Sequence, residues 1–242
     1  MFYFENNFGL FIGKLNENAF HKHYALQISI SMSEMELTTK DRAGITGNAF
    51  FVYSQIEHKL LSKDTQLTIL INPLSSIGHQ LFLKFKGLDY SAPYEGIFGD
   101  LMNVLNLYQS NNSSIEKTFS EVKFLLNQYK YSYEHEIHPQ DDRITKALDI
   151  MDNNFDKIYS LEDISAICYL SPSRFLHLFK EKTAINFRRY QLWNKLIKSL
   201  PHLQRNSITE TAHAAGFSDS SHYTRTFKET FGVNPTFILQ KR

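Results

Sequence analysis

Apolar and polar positions alternate in the first third of the chain, then recur at three- and four-residue spacing through the rest. Leu26-Gln27-Ile28-Ser29-Ile30-Ser31-Met32 alternates strictly, which predicts a half-buried strand. Glu34 to Thr38 is expected as its hairpin partner, with Phe50 to Tyr53 and Leu67 to Ile71 as further strands. Several short strands at close spacing suggest a sandwich or small barrel. From Gly96 the period becomes helical. Ile97, Leu101, Val104, Leu105 and Tyr108 mark one face, and Ile115, Phe119, Val122, Leu125, Leu126 and Tyr129 mark a second. The turn residues Asn111 to Ser114 between them predict an antiparallel helical hairpin. Residues 131–142, YSYEHEIHPQDD, show no period and contain Pro139, so they read as a linker with His135 and His138 as solvated loop residues.

Beyond the linker the pattern is helical to the end. Ile144, Leu148, Met151 and Phe155 trace one amphipathic helix. Ser160 and Asp163 open another, with Leu161, Ile164 and Ile167 inward. Ser171-Pro172 starts the next, proline suiting a first helical turn. Its inward residues are Phe175, Leu178 and Phe179, and Ser173, Leu176, His177 and Lys180 face out. Asn186 to Leu200 forms a longer helix with Tyr190, Trp193, Leu196 and Ile197 on one stripe and Arg188, Arg189, Lys195 and Lys198 on the other.

The stretch Ser207 to Pro235 repeats the short-helix pair. Ser207 and Glu210 make a capping-box pattern, and Ile208, Ala212 and Ala215 recur at helical spacing. Gly216 stands where a left-handed turn residue is needed, Asp219 caps the second helix, and Gly232 ends it. Tyr223, Phe227 and Phe231 face a core, leaving Ser220, Ser221, Thr224, Arg225 and Lys228 outward. Small hydroxyls let a helix approach base edges, arginine pairs with guanine, and lysine reaches phosphate. An ordinary solvated helix face gives the same spacing, so the second unit and the charge decide the matter. The first unit shows the same outline, except that Tyr169 holds the turn where Gly216 stands in the second. The helix between the units would span about 22 Å. One turn of DNA is about 34 Å, so two reading helices on such a strut suit successive major grooves.

Charge sharpens this reading. Residues 1–139 carry 11 Lys/Arg against 14 Asp/Glu, net −3; from Ser165 onward the counts are 12 and 4, net +8. The basic excess coincides with the paired short helices and points to a nucleic-acid partner for that part. The single cysteine, Cys168, falls among apolar helix positions and is expected to pack rather than react; it suits a cytoplasmic protein. No apolar run reaches the roughly 18 residues of a membrane span, and no signal peptide is expected from MFYFENNFGLF.

The N-terminal part holds one candidate chemistry. His21 and His23 are an HxH pair at a strand entry, where residues i and i+2 share a face, and Gln27 and His58 would complete a metal site. The spacing resembles the cupin pattern, with Gln27 in place of the usual glutamate and without the proline and glycine before the last histidine. A hydrogen-bonded pair at a strand entry explains the same residues, so the sequence alone assigns no metal and no cofactor. There is no nucleophile–base pair, phosphate-binding glycine loop or cysteine–histidine zinc spacing, and no enzyme is expected.

Residues 143–237 resemble the DNA-binding domain of the AraC/XylS family of bacterial transcription regulators. The resemblance rests on Ala212, Gly216-Phe217, Asp219, Ser221-His222-Tyr223, Arg225, Phe227-Lys228, Phe231-Gly232 and Pro235, and upstream on Leu161, Ala166, Leu170-Ser171, Phe175 and Phe179-Lys180. Thr211, Asn234 and Tyr169 depart from the family pattern, and none lies on the outward face. The resemblance implies an α+β multidomain chain. A cupin-like β-barrel is expected over residues 1–92, a dimerising helical hairpin over 93–131, a linker over 132–142, and two helix-turn-helix units joined by a linker helix over 143–242. It implies a sequence-specific regulator that binds double-stranded DNA as a homodimer through residues 96–130. A small-molecule effector in the barrel and RNA polymerase are the further partners to expect, and no membrane. The alternatives are a metal-dependent cupin enzyme joined to a DNA-binding domain, and a constitutive DNA-binding protein without effector.

Overall fold

Three strands carry most of the N-terminal architecture: β3 (Leu26–Thr39), β4 (Arg42–Val52) and β5 (His58–Ile71). They join β1 (Phe2–Phe4), β2 (Phe8–Leu15) and the short β6 (Tyr90–Ser91) in one antiparallel sheet, ordered β1-β2-β5-β3-β4-β6. This computed structural model describes residues 1–5, 7–91, 96–131, 141–153, 159–183 and 185–239. Most of the expected linker, with His135 and His138, lies outside them, as does Phe155. Among the described residues the ladder is open, with β1 and β6 at its edges, where a sandwich or a small, cupin-like barrel was expected.

The segment Glu34 to Thr38 is the continuation of β3, not its hairpin partner. That partner is β4, paired through Gln27↔Val52 and Thr39↔Arg42. The register with β4 shifts between Ile30 and Met35, while that with β5 holds from Leu26↔Ile71 to Thr39↔His58. The facing of β3 residues does not change; the apolar side chains pass from its even-numbered to its odd-numbered residues, so one continuous strand mimics two. Before the shift, Leu26, Ile28 and Ile30 join one core with Leu67, Ile69 and Ile71; beyond it, Met35 and Leu37 join a second with Phe50, Val52 and Leu60.

The first core is closed by α1 (Ser76–Lys84), α2 (Ile97–Gln109) and α3 (Ile115–Tyr131), through Ile77, Leu81, Leu101, Leu105, Val122 and Leu126. The helical hairpin thus stands where expected. Helix α1 was not expected, nor were β1 and β2. Over Leu26–Ser31 the other face of β3 is buried too, by Gln27, Ser29 and Ser31, so this half of the strand is buried on both faces, whereas Met32, Glu34 and Glu36 are exposed.

The C-terminal helices are α4 (Asp142–Asn153), α5 (Leu161–Ile167), α6 (Pro172–Thr183), α7 (Phe187–Leu203), α8 (Ile208–Ala214), α9 (Ser220–Phe231) and α10 (Thr236–Leu239). The chain divides into two compact units, Met1–His135 with Thr226–Arg242, and Glu136–Arg225. Within the second, Phe175, Phe179, Phe187 and Tyr190 form a fully buried aromatic group. No helix among the described residues is long and apolar enough to cross a membrane.

Candidate DNA interface and a buried histidine cluster

The two short-helix pairs close their turns with the same hydrogen bonds. In the second, Gly216 N–H donates to His213 O at 3.0 Å and Phe217 N–H to Ala212 O at 2.9 Å. In the first, Tyr169 N–H donates to Ala166 O and Leu170 N–H to Ser165 O, both at 3.0 Å. Both are left-handed helix ends of the Schellman type, with φ 70° at Gly216 and 56° at Tyr169. Tyrosine therefore does carry the strained conformation here. The residue is 89% exposed, with Lys146 Nζ 5.4 Å from its ring centroid.

Caps fix the helix starts. Ser160 with Asp163 and Ser207 with Glu210 form reciprocal capping boxes on α5 and α8. Asp219 Oδ1 accepts from His222 N–H at 2.7 Å at the start of α9. That bond holds the Asp219 carboxyl below its usual range, and the Ser207 hydroxyl does the same for Glu210. Cys168 is buried, donates to Arg143 O at 3.2 Å, and has its thiol pushed up by desolvation. This is packing, as expected.

Tyr223 and Phe227 are fully buried and Phe231 is half-buried, which turns the opposite face of α9 outward. Ser221, Arg225 and Lys228 are exposed, and Ser220 and Thr224 are half-buried. On α6, Ser173, His177 and Lys180 are exposed and Leu176 is half-buried. The expected residues therefore fall on one face of each helix, at spacings of three and four. Arg174 is also exposed, three residues before His177, and was missed because the assigned face began at Ser173. None of these four cations, Arg174, Lys180, Arg225 and Lys228, enters an ion pair among the described residues. The basic side of α7 is partly committed elsewhere. Lys195 Nζ donates to Gly216 O at 3.0 Å and Lys198 Nζ to Met151 O at 3.2 Å, whereas Arg188 is exposed.

In the N-terminal unit, His21, His23, Gln27 and His58 come together and are all buried. A two-way backbone pairing of His21 with His58, at 3.0 and 2.9 Å, brings the strand entry to the start of β5. Each ring is oriented by a carbonyl: Nδ1 of His21 meets Ala19 O at 2.9 Å, that of His23 meets Ala25 O at 2.8 Å, and that of His58 meets Ile56 O at 2.9 Å. A carbonyl only accepts, so each Nδ1 carries the proton and each Nε2 the lone pair. Nε2 of His23 and of His58 face Gln27 Oε1 at 2.9 and 3.2 Å. The amide is aimed by its own donation to Ser29 Oγ at 3.0 Å, which in turn meets Thr68 Oγ1 at 2.9 Å. Desolvation lowers all three imidazole pKa values, that of His21 to about 3.

Residues 164–241 match the model of a helix-turn-helix domain family. The regulatory protein PocR of Salmonella typhimurium is 31% identical over 105 residues, 43% of this chain and 35% of that protein. The transcriptional activator RhaS of an Enterobacter species is 29% identical over 133 residues, 54% of this chain and 47% of its own length. The C-terminal region belongs to the AraC/XylS family. These alignments span between about a third and a half of the curated AraC/XylS relatives. Over its whole length the chain is similar in fold to an apo form of ToxT from Vibrio cholerae, with TM-score 0.60, 17% identity and coverage of 98% of this chain and 99% of that one. That likeness joins a β-rich N-terminal part to a helical, helix-turn-helix C-terminal part, an α+β architecture.

Proposed function

We propose that the protein is a sequence-specific transcription regulator that sets α6 and α9 into successive major grooves of double-stranded DNA. The observation that carries this reading is the pair of helix-turn-helix units closed by equivalent turns, each with an outward face of hydroxyls and uncommitted cations. On α9, Ser221 and Arg225 would meet base edges and Lys228 phosphate; on α6, Ser173, Leu176 and His177 would read, with Lys180 and Arg174 on the backbone. Binding energy would come mostly from phosphate contacts and specificity from Arg225.

The functional unit in this reading is a cytoplasmic homodimer formed through α2 and α3. The exposed apolar side chains Leu107 (44%) and Phe124 (61%) on those helices support it. The N-terminal sheet would hold a small effector, and RNA polymerase would be the partner at a promoter. ToxT has been solved with an unsaturated fatty acid bound, which supports an effector role for the similarly folded part. No catalytic step is assigned. The test is a mobility-shift titration of the full chain over a randomised duplex library, with Ser221→Ala/Arg225→Ala as the comparison. Selection of one sequence by the wild type and not by the double variant is expected. Equal, unselective binding by both would remove sequence-specific reading by α9.

A further inference from the structure

We propose that His21, His23 and His58, with the amide oxygen of Gln27, form a binding site for one divalent transition-metal ion of the zinc class. The argument is one of hydrogen-bond bookkeeping. Each Nδ1 is committed as a donor to a backbone carbonyl, so the three inward nitrogens carry lone pairs. Gln27 Oε1 is an acceptor as well, yet it lies within hydrogen-bond distance of two of them. Acceptors thus face acceptors in a buried place, which is unfavourable unless something positive lies among them. Burial disfavours a proton there, because it would make a charged imidazolium without a counter-charge. A metal ion resolves the conflict, since it takes neutral imidazoles and a carbonyl oxygen as they stand.

The remaining geometry suits that occupant. The three rings offer ligand atoms that all lie within 4.8 Å of one another. Zinc holds imidazole nitrogens at about 2.0–2.1 Å, so loading would draw them closer still. Three protein nitrogens and one oxygen make a four-coordinate set. Carbonyls behind each ring, and Ser29 behind the amide, fix the ligands' orientation, the usual outer support of a metal site. The rival arrangement is a metal-free network in which the amide is turned over, so that its NH₂ group donates to both rings.

The test uses the full chain freed of metal by chelation. Zinc is titrated against a chromophoric chelator, and cobalt(II) is added to a second sample to read its ligand-field spectrum. One equivalent of zinc at submicromolar dissociation constant is expected, with the intense visible bands of four-coordinate cobalt. His58→Ala should weaken zinc at least about tenfold, because even outer-shell losses cost 10- to 100-fold. Gln27→Glu keeps the shape, puts a charged oxygen where the amide oxygen stands, and should tighten zinc. No submicromolar zinc binding by the wild type, or weak six-coordinate cobalt bands, would overturn the proposal. So would zinc binding that persists unchanged in His58→Ala, which would lie on surface histidines. Should His58→Ala not fold, the cobalt spectrum and Gln27→Glu still decide: a Gln27→Glu chain that binds zinc more weakly than wild type would support the turned amide and defeat the metal.

Discussion

Arg225 and His177 occupy equivalent places on α9 and α6, both exposed, and differ in what they can say to a base. Arginine pairs with a guanine edge through two bonds, worth about 1–3 kcal/mol of discrimination. An uncharged imidazole offers one donor and one acceptor. Arg225→Ala is therefore expected to relax base preference more than His177→Ala in a binding profile over a randomised site. A larger effect of His177→Ala would reverse the ranking. Lys228→Ala should weaken all sequences alike and lower the salt slope by about one unit. Tyr169 gives a second test at this scale. A left-handed non-glycine residue costs about 1–2 kcal/mol, and an exposed cation–π contact to Lys146 returns about 0.5–1 kcal/mol. Tyr169→Gly should leave urea stability unchanged or raise it by up to about 1 kcal/mol. Tyr169→Ala keeps the strain, loses the ring contact and should lower stability. A glycine variant less stable than the alanine one would show that the turn carries no strain.

Caps and turns explain why the C-terminal elements were legible in sequence and the N-terminal ones only partly. Capping boxes, Gly216 and the four-residue spacing of Tyr223 and Phe227 are local signals, and the structure satisfies each with a local hydrogen bond or a buried ring. The N-terminal sheet depends on long-range pairing. Phe8 to Ile12 in β2 is an unbroken buried run without alternation, and in β3 the apolar set moves from even-numbered to odd-numbered residues mid-strand. The histidine set was visible as residue types, but not that three carbonyls fix their tautomers, because those contacts come from backbone geometry. Ser207→Ala should cost about 1 kcal/mol of stability by removing the α8 cap. Asp219 has a lowered pKa, so its cap contributes above the unfolded carboxylate range, about 4, and is lost as pH falls through the folded value. Chemical denaturation of Asp219→Asn and wild type should therefore differ at neutral pH and converge in acid. A gap that persists in acid would mean that the charge is not what stabilises this end.

At the scale of the molecule, the histidine cluster lies against the end of the helix proposed to read DNA. Gly232 follows α9 with φ 71°, and a Cβ there would collide with Asn18 Oδ1, His21 Nδ1 and Ala19 O. Ala19 N–H donates to Gly232 O at 3.1 Å and Lys22 N–H to Glu229 O at 3.3 Å, all within one compact unit. An ion that draws His21 toward His23 and His58 would pull on this contact, and α9 is continuous from there to Arg225 and Ser221. Coupling between two sites is reciprocal and commonly amounts to about 5- to 150-fold in affinity. Zinc should therefore change the DNA affinity of the wild type by at least about fivefold, and DNA should change zinc affinity by the same factor. In His58→Ala the metal-free DNA affinity should stay near wild type while the zinc response disappears. Fluorescence anisotropy with a labelled cognate duplex, at fixed free zinc, measures both arms of the cycle. Equal DNA affinity with and without zinc, in a protein shown to bind one ion, would leave the ion site standing and remove the link through Gly232.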